Sequence, residues 1–250
     1  TVENLTLKDV NISGKTDIGA LANEANNATR INNVHVDGVL AGERGIGGLV
    51  WKADNSKITN SSFKGRIVNS YETRSPYNIG GLVGQLTGIN AVVDKSKATI
   101  AISSNADSTN QTVGGLAGLV EKDALISNSY AEGNINNVKR FGSVAGVAGY
   151  LWDRDSNEER HAGRLHNVLS DVNVMNGNAI SGYHYRGMRI TDSYSNKDNR
   201  VYKVTLEKDE VVTKESLEER GTLIDAAQIA SKKSEINSLT VPKVESLLTS

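Results

Sequence analysis

The sequence predicts an all-β fold, a right-handed parallel β-helix of about six rungs followed by a small C-terminal helical cap. Three features predict it: a glycine-centred string recurring about every 30 residues, a second recurring string of strand character, and a composition suited to turns. The periodicity itself does not fix the hand of the winding.

The first string reads IGALAN at 18–23, IGGLVW at 46–51, IGGLVG at 79–84 and VGGLAG at 113–118, with weaker copies VAGVAG at 144–149 and ISGYHY at 180–185. Successive copies start 28, 33, 34, 31 and 36 residues apart. Adjacent glycines such as Gly80 and Gly81 would each cost about 1 kcal/mol inside a helix. They predict instead a corner through positive φ, with Ile79 before it and Leu82 after it pointing inward.

The second string follows each corner: INNVHVDGVL at 31–40, ITNSSFKGRI at 58–67, ISNSYAEGNI at 126–135 and, more loosely, LHNVLSDVNV at 165–174. ENLTLKDVNI near the N-terminus matches the same element. Glycine follows asparagine by five positions in Asn33/Gly38, Asn60/Gly65 and Asn128/Gly133. Alternation of period two, as in Val34 and Val36, puts one face of a strand inside. A recurring asparagine can form a side-chain ladder along a stack or satisfy turn backbone.

Past Asp192 the pattern frays and charge rises. Residues 222–238 predict a helix starting near Gly221 and Thr222, with Leu223, Ala226, Ala227 and Ala230 on one face, and 214–220 predict a shorter one. The division expected is a repeat solenoid over 1–197 and a charged, partly helical cap or linker over 198–250.

Composition narrows the function. Twenty-four glycines, two prolines and 5% aromatic residues fit short strands and turns. The absence of cysteine excludes disulfides, thiolate metal sites and a thiol nucleophile. A net charge of −1 supplies no field to collect nucleic acid, and no apolar run reaches the eighteen or so residues that would insert in a membrane. The chain starts at Thr1 without a leader pattern, so an excised piece of a longer protein is expected. A nucleotide loop occurs once, between a strand and a helix; GIGGLV at 45–50 has Val50 where the third glycine belongs, and its relatives recur along the chain.

The I-G-G-L-V-G and V-G-G-L-A-G strings, with NSYAEG at 128–133, resemble the GLUG repeat. With the longer rungs and the charged tail, residues 1 to about 197 resemble the repeat region of streptococcal immunoglobulin A proteases and related surface zinc metalloproteases. The resemblance implies a non-catalytic region of an extracellular, wall-attached or secreted exoprotein, with zinc confined to a protease domain elsewhere in the parent chain. The family's H-E-x-x-H zinc motif has no counterpart among His35, His161, His166 and His184. No cofactor is expected in this segment.

The expected partners are that protease domain and a host glycoprotein such as immunoglobulin A. The alternatives are an adhesin without protease and a polysaccharide lyase or hydrolase, which would need clustered carboxylates that the sequence scatters among turns. The segment 150–166 is the longest insertion, and Trp152 flanked by Arg154 and Arg160 has the composition of an interface hot spot; Tyr183 and Tyr185, one repeat later, join it. Asp153, Asp155 and Asn157 have the spacing of calcium ligands, but Glu158 and Arg164 stand where a turn glycine and a bidentate glutamate belong. His161 and His166, five apart, make no metal pair. YETRSPY at 71–77 is expected outside the repeat core, with its tyrosines on the surface of the rod.

Overall fold

The structure, a computed structural model, describes residues 1–70, 77–106, 110–139, 142–152, 161–184, 189–207, 210–215 and 221–240. The chain winds through three walls of parallel strands, each strand stacking on its equivalent one turn earlier. The first wall holds five short strands, Ile18–Gly19, Ile46–Gly47, Tyr77–Gly80, Gln111–Gly114 and Ser143–Ala145. The second holds six: Ala22–Ala25, Val50–Asp54, Val83–Thr87, Ala117–Glu121, Ala148–Trp152 and Ser181–His184. The third is longest, beginning with Val2–Gly14 and Arg30–Gly42 and ending, past Arg164–Met175, with Tyr194–Asn196 and Thr222–Ile224. The fold is therefore an all-β parallel solenoid, with one helix among the described residues.

The glycine string makes the arc between the first and second walls. Leu49, Leu82, Leu116 and Val147 each fill the core at its apex, and the Leu82 and Leu116 amides donate to the Leu116 and Val147 carbonyls at 3.0 and 2.9 Å. None of the paired glycines adopts positive φ. Crowding, not handedness, requires them: a Cβ on Gly81 would overlap the Gly115 carbonyl oxygen and meet Ala98 Cβ at 2.8 Å, and one on Gly84 would stand 2.8 Å from the Asn78 carbonyl oxygen. The expected corner exists, but its glycines let backbones touch.

The weakest copy is also out of phase with the expectation. The register pairs Ala145 with Asn178 and Ala148 with Ser181, so Ile180 stands opposite Val147 rather than Val144. The last turn of the arc is read from Gly177–Asn178–Ala179–Ile180, three residues earlier than the glycine in ISGYHY suggests.

The third wall bends by a different device. Asn4, Asn33, Asn60, Lys95, Asn128, Asn167 and Asp192 stack in register, all with φ between 46° and 56°. Left-handed backbone costs an ordinary L-residue roughly 1–2 kcal/mol, and asparagine and aspartate bear it best because their short polar side chains bond locally. Here they do so between turns: Asn33 Nδ2 donates to Asn4 Oδ1 at 2.8 Å, Asn128 Nδ2 to Asp94 Oδ1 at 2.9 Å, and Asn167 Nδ2 to Asn128 Oδ1 at 2.9 Å.

Just after the bend, Ser61, Ser96, Ser129 and Ser193 turn inward and are buried. Each hydroxyl donates to the carbonyl two residues back, at 2.6–3.0 Å. Each also accepts an amide of the preceding turn, from Val34, Ser61, Ser96 and Val168 respectively. The amides left by the bend are thus satisfied inside an otherwise apolar core. Five positions after each expected asparagine, Gly38, Gly65 and Gly133 admit a carbonyl of the neighbouring turn into the space a Cβ would fill.

Val34, Val36 and Phe63, expected inside from the alternation, and Leu82 and Leu116, expected inside from the corner, are all buried to 0–1% exposure. Tyr77 departs from expectation: it is buried in the core at 2% exposure, its hydroxyl 3.2 Å from Ser104 Oγ. The other residues of YETRSPY lie outside the described residues.

The tail also differs. Thr222–Ile224 is a strand paired with Tyr194–Asn196, and the helix, α1, spans Ala226–Thr240. Asp225 caps it, accepting the Gln228 amide at 2.8 Å while Gln228 Oε1 accepts the Asp225 amide at 3.1 Å, a reciprocal capping box. Ala226, Ala227 and Ala230 are exposed and Leu223 is 49% exposed, so the expected face is the wrong one; Ile229 and Ile236 are the buried pair. They pack with Tyr130, Leu169, Ile224 and Tyr194 on the outer side of the third wall. The helix thus straps the side of the solenoid across successive turns. Of the expected helix at 214–220, Lys214 and Glu215 belong to the strand Glu210–Glu215, which pairs antiparallel with Val201–Glu207; 216–220 lie outside the described residues.

Candidate partner-binding face

Two residues apart in one strand, Tyr150 and Trp152 project from the same side of the second wall. Their rings stack, with centroids 5.5 Å apart and planes 3° from parallel, and both are half-buried. Tyr150 is the register partner of Leu119 below and Tyr183 above, so Tyr183 is placed on the adjoining strand. Of the other expected site residues, Arg154, Arg160 and Tyr185 lie outside the described residues, as do the calcium-spaced Asp153, Asp155 and Asn157. Tyr150 was not singled out from the sequence, although the Y-x-W spacing in a strand is the signal that places two rings on one face.

Beside the same insertion lies a polar cluster. Glu121 is buried at 3% exposure; Gln85 Nε2 donates to its Oε1 at 2.7 Å, and its Oε2 has no hydrogen-bond partner. Two residues on, Asp123 bonds to Arg189 and, at 2.6 Å, to His161 Nδ1, while Arg164 Nε donates to its carbonyl at 2.9 Å. Burial pushes the Asp123 carboxyl upward, but hydrogen bonds and charge from Arg189 and His161 prevail and hold it below the ordinary carboxylate range. This knot holds the residues around Ala162 to the wall: Ala162 bridges Glu121, and Arg189 Nη1 donates to the Ala162 carbonyl at 3.4 Å.

Two further described histidines, His35 and His166, stand apart from this cluster. His35 sits between Ser62 Oγ at 2.7 Å and Asn33 Oδ1 at 2.9 Å, and burial, with Lys97 nearby, lowers its pKa. His166 shares a 2.8 Å hydrogen bond with Thr191. No group of three or more His, Cys, Asp or Glu able to hold a metal occurs among the described residues. No two histidines are spaced a helical turn apart, so the two-histidine zinc site of a metallopeptidase does not fit this chain.

The chain is thus a repeat-built parallel solenoid with aromatic residues on one wall. The GLUG motif matches residues 42–68 and 109–136, and the N-terminal region of M26 IgA1-specific metallo-endopeptidases matches residues 1–38. The chain is 94% identical over its whole length to an immunoglobulin A1 protease of Streptococcus sanguinis and 72% identical to one of Streptococcus pneumoniae, of which it spans 14% and 13%. A zinc metalloprotease of Streptococcus pneumoniae, ZmpC, is 37% identical over 217 residues. A solved IgA1 protease superposes over the full chain with a TM-score of 0.86 at 65% identity, the match covering 20% of that structure. A Bacteroides ovatus structure shares the fold alone, with a TM-score of 0.57 at 14% identity. The chain therefore carries GLUG repeats and is similar throughout its length to one segment of streptococcal immunoglobulin A1 proteases.

Proposed function

We propose that this chain is a non-catalytic β-solenoid module of a cell-surface zinc metalloprotease, and that it displays or helps to engage a host glycoprotein such as immunoglobulin A1. In this reading residues 1–197 form a right-handed solenoid of about six rungs, and 198–250 form an accessory segment. The parent enzyme is extracellular, attached to the wall or secreted, and carries its zinc in another domain. The observation that carries the reading is whole-chain identity to proteins named immunoglobulin A1 protease in a segment whose sequence lacks the H-E-x-x-H motif. The net charge of only −1 supports a protein partner over nucleic acid.

Trp152, Arg154, Arg160, Tyr183 and Tyr185 are the proposed contact residues, with Tyr150 added by its stack on Trp152. Trp and Arg supply desolvatable area and forked hydrogen bonding at interfaces. Surface capture of immunoglobulin A1 by the 250-residue chain tests the reading. Trp152→Ala with Arg154→Ala is expected to weaken binding by about 2 kcal/mol or more, with circular dichroism unchanged. Absence of wild-type binding would reduce the module to a spacer, and cleavage of immunoglobulin A1 by a protease-clean preparation would overturn its non-catalytic role.

A further inference from the structure

Where the second wall passes into the third, Arg30 and Lys57 are register partners in adjacent parallel strands. Their backbones are about 4.8 Å apart and their side chains leave the same face. Like charges directly opposite each other on a sheet repel, and neither side chain has an ion-pair partner among the described residues. A hollow of about 390 Å³ opens beside them, lined also by Asn27, Ala28, Asn55 and Asn90.

The hydrogen-bonding capacity left in this hollow is one-sided. Asn55 is engaged, its Nδ2 donating to Asp54 Oδ1 at 2.9 Å and its Oδ1 accepting the Asn90 amide at 3.2 Å. The side-chain amides of Asn27 and Asn90 make no hydrogen bond among the described residues and keep their donors. Next to Asn90, Ile89 stands 58% exposed at the turn.

Two unpaired cations and spare N–H donors fit an oxyanion. An exposed aliphatic side chain beside amides that can meet hydroxyls fits the ring that carries it. We infer that this corner binds an acidic sugar through its carboxylate. Arg30 forks onto the carboxylate, Lys57 adds a point charge from the next turn, Asn27 and Asn90 meet the hydroxyls, and Ile89 covers the apolar face of the ring. The inference does not rest on the role proposed above: the corner holds none of the residues assigned there, and its failure leaves that role untouched.

The test is calorimetric titration of the 250-residue chain with sialyllactose, lactose and sodium acetate in parallel. Sialyllactose is expected to bind saturably, and Arg30→Gln with Lys57→Gln to weaken it at least tenfold, with circular dichroism unchanged because both side chains are exposed. Trp152→Ala is expected to leave that affinity intact. Lactose and acetate are expected not to saturate, since one lacks the charge and the other the ring. No saturable binding of sialyllactose, or binding that survives the double substitution, overturns the site. Acetate binding as tightly as sialyllactose overturns its assignment to a sugar.

Discussion

The two sides of the solenoid turn the same chain by opposite means. Between the first and second walls the arc is made by removing side chains, so that Gly81, Gly84 and their equivalents let backbones touch. Along the third wall the bend is made by adding polar side chains, with an asparagine column taking left-handed backbone and a serine column satisfying the amides behind it. The first solution has no tolerance, because a carbonyl cannot move aside within a stacked wall. The second is graded, because each side chain contributes a hydrogen bond or a conformational preference that a substitute partly replaces.

The largest effect should therefore come from the glycine arc. Gly81→Val forces a branched side chain into the Gly115 carbonyl and Ala98, and is expected to destabilise by more than about 3 kcal/mol, beyond the usual overpacking range. Urea unfolding followed by circular dichroism measures it. A midpoint equal to that of the parent would show that the arc is not close-packed. Ser96→Ala on the opposite side leaves the buried Ser61 amide without its acceptor and should cost about 1–3 kcal/mol.

The strap that lies over the bent wall is electrostatic as well as apolar. Lys233 bonds to Glu132 Oε2 at 2.7 Å and to Asp171, with its ammonium 5.6 Å from the centre of the Tyr130 ring. Burial raises both carboxyl values and lowers that of the lysine, but the hydrogen bonds and mutual charge prevail, leaving Glu132 and Asp171 below and Lys233 above their ordinary ranges. Stability from the depressed carboxylates is present above their unfolded values and lost as pH falls through the folded ones. Stability from Lys233 is fully present below the ordinary lysine value and lost as pH rises through its raised one. Amide exchange in α1, taken relative to each amide's intrinsic rate at the same pH, should therefore stay slow between those limits and accelerate first in acid below the usual carboxylate range. Lys233→Met should accelerate it at neutral pH while leaving the second wall protected, an effect of about 1–2 kcal/mol on the helix alone. Equal acceleration in the second wall would mean that the strap and the solenoid unfold as one unit.

How much of this was legible follows from the same contrast. Glycine pairs are rare outside special backbone, so their recurrence marked the arc and put Leu82 and Leu116 inside. Their reason was misread, because φ cannot be seen in a sequence and crowding depends on the neighbouring turn. Asn33, Asn60 and Asn128 were visible as a column, but Lys95 and Asp192 hid its continuation. Serine following the bend residue, in Asn60–Ser61, Lys95–Ser96, Asn128–Ser129 and Asp192–Ser193, is the signal that carries the repeat past its apparent end. The helix face was misassigned because Leu223 precedes α1 and the alanines bury nothing. Tyr150 is not legible without the strand, because the Y-x-W spacing puts two rings on one face only when Ala148–Trp152 is extended.

The smallest expected effect isolates the strap from both bends. Asp225 closes the capping box and touches neither the glycine arc nor the serine column, so Asp225→Ala removes an acceptor from the Gln228 amide without disturbing the stack. N-cap losses of this kind cost about 1 kcal/mol, and the loss should fall on the first turn of α1, where Ile229 anchors the helix to the wall. Amide exchange at residues 226–230 is expected to quicken about fivefold, the kinetic equivalent of that energy, with the global unfolding midpoint nearly unchanged. A fall in the midpoint as large as that of Ser96→Ala would mean that the solenoid depends on its strap, and the graded side of the comparison would then extend to the tail.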